Sequence, residues 1–136
     1  MAFPKTMPSF QPGFRLPPGE ELQGLADLAG SVEIGITAFA GGGQTNARKL
    51  KNGFNVIATV ATTADSVRLP KGFVGAEVWV VNSGVNSMTV YGAENDTINA
   101  VATATGVAQA AAAVAVYKCT SVSVAGVANW TKVTVA

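Results

Sequence analysis

The chain has no histidine, a single cysteine and few charged residues, only 12% of its 136 positions. Each scarcity excludes something. Without an imidazole, general acid–base chemistry would have to rest on carboxylates, lysines or tyrosines, and no cofactor is expected. With Cys119 alone, no disulfide framework can form within the chain and ordinary zinc sites are ruled out. Cys119 follows "AVAVYK" and reads as a small hydrophobe in a strand rather than as a nucleophile. A net charge of +1 gives no basic domain for direct nucleic-acid binding. Prolines in the opening "MAFPKTMPSFQPGF" interrupt the apolar run that a signal peptide needs, and no later stretch is expected to span a membrane.

What the chain does have is apolar surface. Hydrophobic residues make up 49% of it, too many to be well solvated if the whole exterior faced water, so part of the surface is expected to be covered by partners. Its length suits one domain with an appendage. Residues 1–19 hold five of the six prolines and three of the six phenylalanines, which predicts an extended arm with no core of its own. Phe3, Phe10, Phe14 and Leu16 are then candidates to order against a neighbouring subunit. Leu22, Leu25 and Leu28 recur at three-residue spacing after Glu20 and Glu21 and predict a short helix over 20–29, ended by Gly30. Val32, Ile34 and Ile36 alternate as one side of a strand that "GGG" closes at 41–43. The predicted division is an arm with a short helix and strand, residues 1–44, and a β domain, residues 45–136.

From Phe54 onward the sequence contains 18 valines and 10 threonines, a β-branched richness that predicts strands. These fall at 54–62, 65–69, 76–82, 87–92, 112–119, 121–125 and 129–135, separated by turns containing "PKG", "NSG" and "GAEND". "AQAAAAVAVYK", 108–118, mixes alanine-driven helix propensity with strand alternation, and its second half is assigned to strand. Many short strands at close spacing predict an all-β fold, a jelly-roll-like sandwich or barrel. "VWVVNSGVNSMTVYG", 78–92, reads as a hairpin apolar on both faces, because Val78 and Val80 point one way and Trp79 and Val81 the other. One short helix cannot cover such a sheet, so subunit contact is expected at the second face. Trp79, Tyr91 and Trp130 are the candidates for it.

The remaining motifs are weak as chemistry. "AGGGQTNARKL" lacks the Gly-Lys-Ser/Thr ending of a phosphate loop and reads as a joint, with Arg48, Lys49 and Lys51 as a solvated basic rim or a contact for an acidic protein. "AENDTINA" groups Glu94 and Asp96 with other oxygen donors, but without the spacing of a calcium loop it reads as a turn. Paired acids there would suit sugar hydrolysis only within a shaped cleft, and a non-enzymatic role is expected.

Residues 67–100, "VRLPKGFVGAEVWVVNSGVNSMTVYGAENDTINA", resemble small structural proteins of tailed bacteriophages. The likeness is carried by Leu69 and Pro70, Gly75 and Ala76, "VVN" at 80–82, Gly84, "VYG" at 90–92 and "DTIN" at 96–99. It extends through the preceding "GGGQTNARKLKNGFNVIATVATTADS" and the closing "NWTKVTV". Gly92 departs from the proline expected after the aromatic. The resemblance implies a capsid decoration or cement protein, a homotrimer seated on the outer surface of the virion head and clamping neighbouring subunits of the major capsid protein. Similar β modules also occur in head fibres and tail spikes, which implies host-surface or glycan binding as the alternative. No active site is carried by the likeness.

Overall fold

The computed structural model describes residues 31–135, which form ten strands and no helix. They are β1 (Ser31–Thr37), β2 (Arg48–Lys49), β3 (Gly53–Thr59), β4 (Asp65–Arg68), β5 (Glu77–Asn82), β6 (Met88–Tyr91), β7 (Thr97–Ile98), β8 (Val107–Gln109), β9 (Val114–Val122) and β10 (Ala128–Val135). The all-β expectation holds. The predicted helix over 20–29 and the arm phenylalanines lie outside the described residues. The strand assigned to the arm, β1, is an edge strand of the main sheet, so residues 31–37 are part of the folded unit.

The chain alternates between two sheets as it advances. The six-stranded sheet has the order β1-β3-β5-β9-β10-β7 and the four-stranded sheet β2-β4-β6-β8. β1, β3 and β5 run parallel, as do β2, β4 and β6. Each coil therefore lays one strand in each sheet, and the next coil stacks beside it. Ser31 pairs with Gly53 and Gly53 with Val78, 22 and 25 residues further on. Antiparallel β8 and β9 then close the far side, β8 against β6 and β9 between β5 and β10.

This winding corrects two expectations. β5 and β6 are strands as predicted, but "NSGVNS" between them carries the chain from one sheet to the other instead of folding a hairpin. Parallel coils also differ from a jelly roll, whose strands pair antiparallel. What remains of the sandwich reading is two sheets over one core, with Ile36, Ile57, Val78, Val80 and Tyr117 from the larger sheet and Val67, Met88 and Val90 from the smaller.

The corners hold because each is hydrogen-bonded to its predecessor. Ser83 N–H donates to Ile57 O at 2.8 Å, and Asn86 Nδ2 donates to Val60 O and Ala61 O, both at 2.9 Å. Asn82, fully buried, donates through Nδ2 to Asn86 O at 3.0 Å and accepts Gly84 N–H at 2.9 Å. Gly84 is required by space: a Cβ there would sit 2.8 Å from Val60 N and 2.9 Å from Val60 Cβ and Cγ2. One corner earlier, buried Asp65 accepts from Thr62 Oγ1 at 2.7 Å, Thr62 N at 3.0 Å and Gly41 N at 3.3 Å. The Thr62 hydroxyl and amide, aided by Gly41 N–H, hold its carboxyl below the ordinary value of 3.8, against the opposing effect of burial.

Gly35, at φ 74°, changes the facing of β1. The register shifts between Glu33 and Ile36, so Val32 and Ile34 are exposed while Ile36 is buried, and the three do not share one side.

Two outcomes are expected. Gly84→Ala should lower stability by about 1–3 kcal/mol in urea unfolding, because its new methyl meets backbone and a β-branched side chain; Ser83→Ala, at an exposed neighbour, should stay within about 0.5 kcal/mol. Asp65 contributes stability that is present above its unfolded value and lost as pH falls through the lower folded one. The urea midpoint of the native chain should therefore drop below about pH 4, and Asp65→Asn should flatten that drop.

Candidate interaction surface

On β5 the alternation that buries Val78, Val80 and Asn82 turns Trp79 and Val81 to the outer side of the six-stranded sheet. The register then aligns one residue per strand. Val32 pairs with Phe54, Phe54 with Trp79, Trp79 with Val116 and Val116 with Val133, an unbroken apolar row across five strands. Val56, Val81, Val114 and Val135 form a second row beside it. Five strands at about 4.8 Å spacing make the first row roughly 20 Å wide. Phe54 and Trp79 stack with ring centroids 6.1 Å apart and planes inclined by 26°.

Nothing among the described residues covers this surface. Val32 is 71% exposed and Val133 54%, with Phe54 exposed and Trp79, Val81, Val114 and Val116 partly exposed between them, whereas Val80 and Tyr117, facing inward from the same sheet, are at 0%. On the other side of the rows lies a polar strip where Glu77 pairs with Lys118, itself opposite Thr131, with Lys118 Nζ 3.9 Å from Glu77 Oε1. An apolar band bordered by such a strip has the composition of a protein-contact surface.

Of the three aromatic contact candidates, only Trp79 belongs to this face. Trp130 is 1% exposed and lies inside the core, where β10 alternates it with Asn129 and Thr131. Tyr91 is 7% exposed beneath the loop of residues 41–44, and its hydroxyl accepts Gly43 N–H at 3.3 Å. Both are corrected from contact residues to packing residues. Cys119 is buried as expected, and burial pushes its thiol pKa up.

The polar motifs resolve into structure. Asp96, 0% exposed, accepts from Lys71 Nζ at 2.6 Å, Ala128 N at 2.9 Å and Gly72 N at 3.0 Å, so its oxygens already have partners within the chain. Glu94 is exposed, and its carbonyl accepts Gln44 Nε2 at 2.8 Å. Within the basic rim, Arg48 pairs with Glu33 while Lys49 and Lys51 are exposed. Lys49, Arg68, Lys71 and Glu94 line a groove of about 270 Å³. Among the described residues no group of three or more His, Cys, Asp or Glu side chains is arranged to hold a metal ion.

Comparison with family models, curated proteins and solved structures finds no match for the chain.

The two sides of the sheet make opposite demands on a charge. Val116→Lys, on the outer row, should cost less than about 1 kcal/mol of folding stability. Val80→Lys, one sheet thickness away, should destabilise by several kcal/mol because it buries an unpaired ammonium. Urea unfolding of the two variants measures the difference directly.

Proposed function

We propose that this chain is a structural virion protein, a capsid decoration or cement protein that assembles as a homotrimer on the outer surface of a phage head and clamps neighbouring major capsid subunits. The reading rests on the uncovered apolar band of Val32, Phe54, Trp79, Val116 and Val133, set on a rigid two-sheet unit. The resemblance of residues 41–136 to such proteins names the kind of partner. A protein of this type acts mechanically: modest contacts, repeated over a lattice, add up to resistance against expansion by packaged DNA. The band is the natural place for either the trimer seam or the capsid contact, since burying one phenylalanine or valine there contributes about 1.5–3 kcal/mol. The arm residues Phe3, Phe10, Phe14 and Leu16 supply a second capsid contact in this reading.

A fibre or spike module for host-surface glycans is the second reading. The stacked Phe54–Trp79 pair favours it, because partly exposed rings on the face of a sheet can receive the apolar face of a sugar.

Analytical ultracentrifugation combined with cosedimentation on expanded capsids lacking the protein separates these readings. The native chain should sediment as a trimer and bind the capsids, and Val116→Lys should abolish one or both while remaining folded. Binding to bacterial cells or purified glycans without capsid affinity would transfer the assignment to the second reading. A folded Val116→Lys variant that still forms trimers and still binds capsids would remove the band from the mechanism.

A further inference from the structure

At the ends of β2 and β4, on the smaller sheet, three cations line the groove of about 270 Å³. Leu50 and Leu69, both buried, form its floor, while Lys49, Lys71 and Glu94 are exposed and Arg68 is half-buried. The parallel register sets Lys49 directly opposite Arg68, so two like charges stand on neighbouring strands about 4.8 Å apart. The backbone beneath them is fixed, because Leu50 N–H donates to Arg68 O and Leu69 N–H to Tyr91 O, both at 2.8 Å. The wall that carries Ala93 and Glu94 is held by Gln44, whose Nε2 donates to Gly92 O at 2.6 Å and to Glu94 O at 2.8 Å.

Like charges placed opposite each other destabilise a sheet unless something negative meets them. Among the described residues nothing does. Glu33 pairs with Arg48, Asp96 with Lys71 and Glu77 with Lys118, and neither Lys49 nor Arg68 belongs to any of these pairs. Charge is scarce in this chain, with nine Lys and Arg in 136 residues, yet three of the nine line this one hollow. Asp96, 2.6 Å from Lys71 Nζ, already answers the third cation, which leaves Lys49 and Arg68 as the uncompensated ones. A guanidinium fork beside an ammonium matches the oxygens of a doubly charged tetrahedral anion, and the leucine floor offers apolar surface to whatever that anion is attached to.

We propose that this groove binds a phosphate group, free or esterified to a small organic molecule, with Arg68 and Lys49 on its oxygens. A dianion removes the repulsion between the two cations, whereas a carboxylate, with one charge, answers only one of them. The groove belongs to the four-stranded sheet and the apolar band to the six-stranded one, so the proposal goes beyond the assembly reading and does not depend on it.

Backbone amide NMR of the full chain tests it, by titration at about pH 7.5, where a phosphomonoester is largely a dianion. The probes are inorganic phosphate, glucose 6-phosphate, glucose and acetate. Both phosphates should give saturable shifts concentrated around residues 49–50, 68–72 and 93–95. Arg68→Gln and Lys49→Gln should each weaken binding by about fivefold or more, with Lys118→Gln leaving it unchanged. Glu94→Gln should tighten binding, a gain that loss of structure could not imitate. Tighter binding of glucose 6-phosphate is expected from the leucine floor and would name an ester as the ligand; equal affinity would name free phosphate. Glucose or acetate binding as tightly as the phosphates, unsaturable shifts spread over Lys118 and Lys132, or affinity indifferent to Arg68→Gln and Lys49→Gln would each overturn the proposal.

Discussion

Parallel pairing in both sheets means that no strand of the first three coils can find its partner in the residues next to it. A strand must wait until the chain has crossed to the other sheet and returned, and only then does a ladder form. The corners carry the burden of this arrangement. Asn86 bonds to carbonyls of the preceding corner, Asp65 gathers donors from its own corner and from Gly41, and Gly84 is bare so that its backbone can lie against Val60. The register of each coil is held by those contacts to the coil before it.

Closure of the far side is fixed by a small set of buried polar groups. Gln109 on β8 donates to Val80 O at 2.9 Å and Ala113 O at 3.1 Å and accepts the Tyr117 hydroxyl at 2.8 Å, so one side chain of the smaller sheet is bonded to two strands of the larger. Burial raises the Tyr117 pKa, keeping its hydroxyl a donor. Asp96 does the equivalent at the other end, drawing Lys71, Gly72 and Ala128 to one carboxylate. A partly bonded group in such a place costs about 1–3 kcal/mol. These residues therefore specify the closed arrangement more than they add to its stability.

The longer strands were legible in the sequence because β-branched runs between turn residues mark them locally, whereas β2, β7 and β8, of two or three residues each, were not, and the strands read at 112–119 and 121–125 are one, β9. Strand partnership was not legible. A period of two says which face a residue occupies and nothing about whether the neighbour across the ladder is the next strand or the one after, so "NSGVNS" passes for a hairpin turn as easily as for a corner between sheets. The same limit applied to the aromatics in different degrees. Trp130 sits between Asn129 and Thr131, an alternation that points it inward and was available to be read. Trp79 sits between Val78 and Val80, where both phases are apolar and only the register with Phe54 and Val116 identifies the outer one. The inversion at Gly35 was hidden because a bulge is defined by the partner strand.

The β9–β10 ladder stands apart in one respect. Ala128 pairs with Val122 across a short turn, while the other long ladders of the larger sheet join residues more than twenty positions apart. Closing a local loop costs little chain entropy and closing a distant one costs more. The hairpin is thus the element able to form before the rest of the chain is organised, and β5 can add to its free side before β3 and β1 follow in turn. Loop-closure entropy thus favours an order that runs from the C-terminal hairpin towards the N-terminal edge, with Val32 the last member of the apolar band to be placed.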